Sequence, residues 1–380
     1  MKNFKKLFYV FLVITMIATF FYIIEKTTVK AATLNNPRKD SNGNVTWDCV
    51  WFGSYPQAEV VPSGKYTEVD SLILKEGDII ISSSIYNKLK SATGWDANGD
   101  ITLNGVKYRR IKKGDATYGT SGNGEYYNWS DSTIYHYFKY EPIRWRVLNV
   151  NGNDAFLLAD KALDAQNYNL TLNSVTWEKS TIRSWLNGYG ALSNTYGADY
   201  SSKNFIDTAF LDIEQTIIKT TLVINDDNIA YGTECGNNSN DKIFLLSESE
   251  VYTNSAKSYG FASKYDIYDE ARRSKSSTYA KAMGTWSNTD TDYAGNCRWW
   301  LRSSGLNAKS AADVGSSGFA DGFGFGVQTS DKAVRPAFHI NLSSPNLYSY
   351  AGTVCSDGSV NESKPGETTK NDNISNDYLV

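Results

Sequence analysis

Residues 44–52 alternate with a period of two. Val45, Trp47, Cys49 and Trp51 fall on one face, and Thr46, Asp48 and Val50 on the other. That period belongs to a strand, where successive side chains point to opposite faces. Gly53-Ser54-Tyr55-Pro56-Gln57 is expected to end it. Residues 143–148 and 155–159 flank Asn151-Gly152 and predict a hairpin, because such a turn needs residues that tolerate positive φ. In its first arm Ile143, Trp145 and Val147 share a face, with Arg144 and Arg146 opposite. Residues 299–303 read as another strand. Residues 322–327 alternate glycine with apolar residues, as in a strand closely crossed by another backbone. Residues 333–342 place Val334, Pro336, Phe338, Ile340 and Leu342 inward, and Arg335, Ala337, His339 and Asn341 outward. This last strand is expected to close against the N-terminal one.

Helical spacing is rarer. Ile182, Trp185 and Leu186 share one face of a short helix that Gly188 can end. Asp212-x-x-Gln215 starts a second helix, carrying Ile217 and Ile218. Ser247-x-x-Glu250 is a capping box after a short buried strand at 242–247, and residues 277–283 make a last helical turn or two before Gly284. Residues 65–130 hold short strand-like pieces at 78–82 and 106–111 and read as an insertion.

Both ends differ from this body. Lys2, Lys5 and Lys6 precede an apolar run over residues 7–24, and Val29-Lys30-Ala31 offers small residues for cleavage. Residues 1–31 are therefore expected to be a signal peptide, or a signal anchor if uncleaved, and the protein to be secreted or held at the cell surface. Membrane contact is expected only through residues 7–24. Residues 32–44 are a polar leader, 45–345 a single domain, and 346–380 a disordered tail or linker.

Composition sharpens this picture. Aromatic residues reach 14%, with Tyr 26 and Trp 10, which suits packed sheets and stacking faces. The formal charge is -3. Residues 1–31 hold five lysines against Glu25, so removing their +4 leaves the remainder near -7. Nucleic acid is excluded as a partner, since it needs a basic footprint. Cys49, Cys235, Cys297 and Cys355 lie far apart with no C-x-x-C, which argues against zinc. A disulfide between Cys235 and Cys297 is one option, and unpaired thiols the other. No cofactor is expected. Asp96-Ala97-Asn98-Gly99-Asp100 starts like a calcium loop, but Lys107 stands where a bidentate Glu belongs, so a solvated turn is the default reading.

The candidate chemistry is aromatic and cationic. Trp300 and Arg302 in Trp299-Trp300-Leu301-Arg302, with Arg335 and His339 on the polar face of 333–342, are the expected ligand-binding residues. The competing reading makes both tryptophans core. No G-x-S-x-G or H-E-x-x-H occurs and only His136 and His339 are present, so no catalytic residues are assigned. Asp154, Asp160, Asp226, Asp227 and Asp313 leave a glycosidase-type carboxylate pair as an alternative.

Several ordered blocks carry a resemblance: Trp47-x-x-x-Trp51-Phe52-Gly53-x-Tyr55-Pro56-Gln57, Pro142-Ile143-Arg144-Trp145-Arg146-Val147-Leu148, Ser184-Trp185-Leu186-Asn187, Phe244-Leu245-Leu246-Ser247, Trp299-Trp300-Leu301-Arg302-Ser303 and Val334-Arg335-Pro336-Ala337-Phe338. Across residues 45–343 the chain resembles an uncharacterised domain family of exported proteins in Gram-positive anaerobes. More distantly it resembles C-type-lectin-like folds, including the sulfatase-modifying branch. It lacks the Glu-Pro-Asn and Trp-Asn-Asp tripeptides of calcium-dependent lectins and the close cysteine pair of formylglycine-generating enzymes. The expectation is an α+β, C-type-lectin-like domain: a twisted, mainly antiparallel sheet with a few short helices and long loops. The expected function is exported, non-catalytic recognition of a glycan or surface protein. The alternatives are an enzyme of the sulfatase-modifying or glycosidase type, and a structural cell-surface protein without a small ligand.

Overall fold

The long strand Val45–Pro62 organises a computed structural model that describes residues 33–63, 77–117, 127, 129, 131–253, 255–264 and 267–364. The expected signal segment lies outside the described residues, as does part of the 65–130 insertion. Gly53 does not end this strand. The register breaks between Trp51 and Ser54 and again between Pro56 and Ala58, so these residues form bulges and pairing resumes beyond them. Gly53 sits at φ +66, and a Cβ there would lie 2.5 Å from the Ala209 carbonyl oxygen. Only glycine meets both demands.

The strands Ala337–Asn341, Asp154–Ala159, His136–Asn151, Val45–Pro62, Ser349–Cys355 and Val360–Glu362 lie side by side in that order, each antiparallel to its neighbours. The expected hairpin about Asn151-Gly152 joins the second and third of these. The Asp100–Leu103 and Val106–Ile111 hairpin extends the sheet through His136–Asn151. A second sheet runs Ala320–Gly326, Ser310–Val314, Trp299–Ser304, Ala333–Val334 and Asp164–Ala165. It is antiparallel except where Trp299–Ser304 meets Ala333–Val334. The molecule is thus a mixed α and β structure with mostly antiparallel sheets and a few short helices. Among the described residues, no helix is long and apolar enough to cross a membrane.

Three expectations about the sheets are corrected. The N-terminal strand pairs with Ser349–Cys355, not with the 333–342 segment. The 346–380 tail begins as structure, because Ala351 and Val354 pack on Cys49 and supply the apolar contacts that composition alone obscures. The 333–342 segment is two strands, not one. It leaves the second sheet at Val334 and enters the first at Ala337, crossing at Arg335-Pro336. Proline lacks the N–H that a continuous ladder needs.

The helices follow their caps. Thr181–Asn187 starts at Ser180, whose hydroxyl accepts the Arg183 N–H, and stops at Gly188 in the left-handed region. Glu248–Tyr252 has the expected Ser247/Glu250 capping box, and Thr278–Met283 is capped by Ser277. Asp212–Gln215 is a single turn; Ile217 and Ile218 leave it to enter the core. The helix Ser83–Ser91 follows the Ile79–Ile81 strand where only strand-like pieces were expected. The core joins the two sheets, with Trp47, Trp145, Trp177, Trp299 and Trp300 all fully buried.

Candidate functional site

The four expected ligand residues do not form a surface. Trp300 is fully buried; its indole N–H donates to the Gln166 carbonyl at 2.9 Å, and its ring meets Tyr168 edge-on. Arg302 is buried beneath the Leu245–Leu246 segment. It donates to the Leu245 and Ile224 carbonyls and pairs with Glu250 at 2.5 Å. Arg335 is also fully buried, at the crossing between the sheets. Its guanidinium lies 5.0 Å from the centre of the Trp299 ring and donates to the Ala159 carbonyl at 2.8 Å. Burial, reinforced by nearby Arg146, pushes its pKa down to about 9. The outward position assigned to Arg335 is corrected because the chain changes sheets at this residue. His339 is partly buried, stacked on Phe156 at 4.5 Å and hydrogen-bonded to Asp154. Burial holds its pKa below the ordinary histidine value.

Cys235 and Cys297 are not bonded to each other; all four cysteines are free. The Asp96 carboxylate accepts the Asn98 and Asp100 N–H groups, while Asp100 takes a bidentate pair from Arg109 and a bond from Tyr140. Asp96 is thus an exposed residue that orders the turn's backbone, and Asp100 a buried partner of Arg109.

An open groove of about 720 Å³ lies elsewhere, along the Val45–Pro62 strand. Register places Trp51 opposite Arg144. The Arg144 guanidinium sits 5.9 Å from the Trp51 ring centre, and the indole N–H donates to the Ser363 carbonyl at 2.7 Å. Arg144 and Arg146 both bind Asp160, at 2.7 Å each. Burial would raise the Asp160 carboxyl, but the guanidinium groups of Arg146 and Arg144 outweigh it and hold it well below the usual carboxylate range. The pair therefore fixes the Trp51 wall without leaving an unpaired buried charge.

Other groove side chains are left open. Burial raises the Glu141 carboxyl, against the pull of Lys139 and Lys161, and its carboxylate has no hydrogen bond or ion pair among the described residues. Gln57 lines the groove and is anchored by its amide N–H groups to the Glu141 and Pro142 carbonyls. On the facing wall Leu211 is 66% exposed, beside Glu214, whose carboxylate accepts the Leu211 N–H. The groove thus joins one partly exposed indole to fixed acceptors and a cation. The residues were visible as strand positions, with Trp51 and Arg144 each on an alternating face, but their meeting depends on a register that two bulges set.

The residues 152–342 match the model of a family described as Domain of unknown function (DUF6273). No curated protein and no solved structure gives a significant match to the chain. The matched span contains the whole second sheet and the Asp160 and Leu211 side of the groove; Trp51, Gln57, Glu141 and Arg144 lie outside it. With half the chain matched, the protein belongs to the family described as Domain of unknown function (DUF6273).

Proposed function

We propose that this protein is an exported, non-catalytic module that recognises a glycan at the cell surface, through the groove at Trp51. One observation carries the reading. A partly exposed indole lines an open groove beside Arg144, Gln57 and an unpartnered Glu141 carboxylate. Sugars present C–H faces that stack on indole and hydroxyls that need fixed donors and acceptors, so this is the composition a glycan site requires. The C-type-lectin-like arrangement belongs to the proposal. Its support is the rigid antiparallel sheet whose loops and bulges carry the open side chains. Export rests on the lysines, apolar run and Ala31 of residues 1–31.

The thiols favour binding over thiol chemistry. Burial pushes Cys297 up to about 11 and Cys49 higher still, whereas a reactive thiol needs the opposite shift. A surface-protein ligand is the second reading, favoured by exposed Leu211 in the groove wall and exposed Ile213 two residues on. A glycan array and a cell-wall pull-down test the proposal, with the full chain and its Trp51→Ala and Glu141→Gln variants. Selective glycan retention that folded Trp51→Ala loses is the expected result. Retention unchanged in that variant removes the groove from the account, and retention of wall protein alone favours the second reading.

A further inference from the structure

A second cavity, of about 590 Å³, lies between residues 37–45 and residues 257–264 and 267–271, with Ser356 at its edge. Lys39, Lys257 and Lys264 line it, all exposed, and none has a side-chain hydrogen bond or ion pair among the described residues. The carboxylates on its wall are already occupied. Asp269 accepts the Ala262 and Ala271 N–H groups and lies 3.4 Å from Arg272; Glu270 lies 3.1 Å from Arg273. Among the described residues, three lysine ammoniums therefore have no ion-pair partner, in a chain whose remainder beyond residue 31 is net acidic.

The wall is built, not merely adjacent. Arg272 is fully buried and donates to the carbonyls of Ala262, Lys264 and Ile267, which clamps the segment carrying Lys264. Trp47 donates its indole N–H to the Tyr259 carbonyl at 2.9 Å, tying the same wall to the long strand. Gly260, at φ +90, lets that wall close on Val45, since a Cβ there would lie 2.6 Å from the valine side chain. Phe261 lines the cavity, and Tyr268, 67% exposed, offers a ring and a hydroxyl.

We infer that this cavity is an anion-binding site, separate from the Trp51 groove, for a polymer bearing carboxylate or phosphodiester groups. Lysine ammoniums on flexible stems read charge more than shape, so both anions satisfy the same chemistry. An acidic carbohydrate or a phosphodiester polymer also presents C–H surface to the exposed Tyr268 ring. The clamped wall lowers the ordering cost of binding, and the exposed setting makes the interaction sensitive to salt. The inference stands independently of the Trp51 reading.

Calorimetric titration of the full chain tests it with three probes: oligogalacturonate, a glycerol-phosphate oligomer and neutral dextran. Binding of at least one anionic probe, weakened by added salt, and no binding of dextran at this cavity are expected. Combined Lys39→Gln, Lys257→Gln and Lys264→Gln substitution should weaken anion binding by about tenfold or more, since each removes a charge-assisted contact. The matching Lys→Arg set should retain it, and Trp51→Ala should leave it unchanged. Response to one probe alone assigns the carboxylate or the phosphodiester source. Failure of the wild type to bind either anion, or equal anion binding by the folded triple Gln variant, overturns the inference.

Discussion

Trp300 with Arg302, and Trp51 with Arg144, are the same two kinds of side chain on β-structure, yet they lie in opposite surroundings. Around the first pair the Ile224, Leu245–Leu246 and Glu250 segments supply carbonyls and a carboxylate to the guanidinium, and the indole points inward. Around the second, Asp160, just beyond the Asp154–Ala159 strand, and Glu362, on another strand of the same sheet, pair with the guanidinium, and the indole stays partly open to a groove. An arginine beside a tryptophan does not make a binding surface. What decides is whether the charge is satisfied by a covering segment or from within its own sheet.

The largest effect that tests this contrast is on stability. Trp300→Ala should cost about 3–5 kcal/mol, the usual range for a fully buried tryptophan, and should lower the midpoint of a denaturant melt accordingly. A Trp300→Ala protein with an unchanged midpoint would break the comparison. Asp160→Asn comes next. It leaves Arg144 and Arg146 without their carboxylate and should cost roughly 3–5 kcal/mol. Because the Asp160 carboxyl is held below its unfolded value, its stabilisation is present at neutral pH and is lost as pH falls through the acid range. The substitution should flatten that acid limb in a melting-temperature profile.

Asp164 tests the opposite sign. It is fully buried against Tyr55 at 2.5 Å, and burial pushes its carboxyl up to about 6 from 3.8. The folded state then holds the proton more tightly than the unfolded one. Stability should fall as pH rises from about 4 to about 6, by on the order of 3 kcal/mol. Asp164→Asn should remove that fall, and a profile of unchanged slope would contradict it. Trp51→Ala should leave the fold nearly intact while weakening glycan binding by about 2 kcal/mol, as for a central aromatic contact, read by calorimetry. Glu141→Gln is the smallest. It should reduce glycan binding by less than about 1.5 kcal/mol, the range for a single hydrogen bond, with no loss of stability because burial disfavours the charged carboxyl.

Local patterns were legible in the sequence where one element could be judged alone. The Asn151-Gly152 hairpin, the Ser247/Glu250 capping box and the Gly188 stop depend on neighbours in the chain, and each is found where expected. The misreadings are long-range. Gly53 and Pro56 look like a turn until Ala209 and the partner strand show that they are bulges. Arg335 looks solvated until the crossing between sheets encloses it. The strand Ser349–Cys355 is hidden by its polar composition, because the apolar surface it covers, at Cys49, lies some three hundred residues earlier in the chain. The groove escaped for the same reason: Trp51 and Arg144 meet only through the register.

The most direct test follows the indole N–H signals of Trp51 and Trp300 by NMR during titration with oligosaccharides released from bacterial cell wall. The account predicts that the Trp51 signal moves saturably while that of Trp300 stays fixed. Movement of the Trp300 signal with Trp51 unmoved, or no response from either, would contradict it.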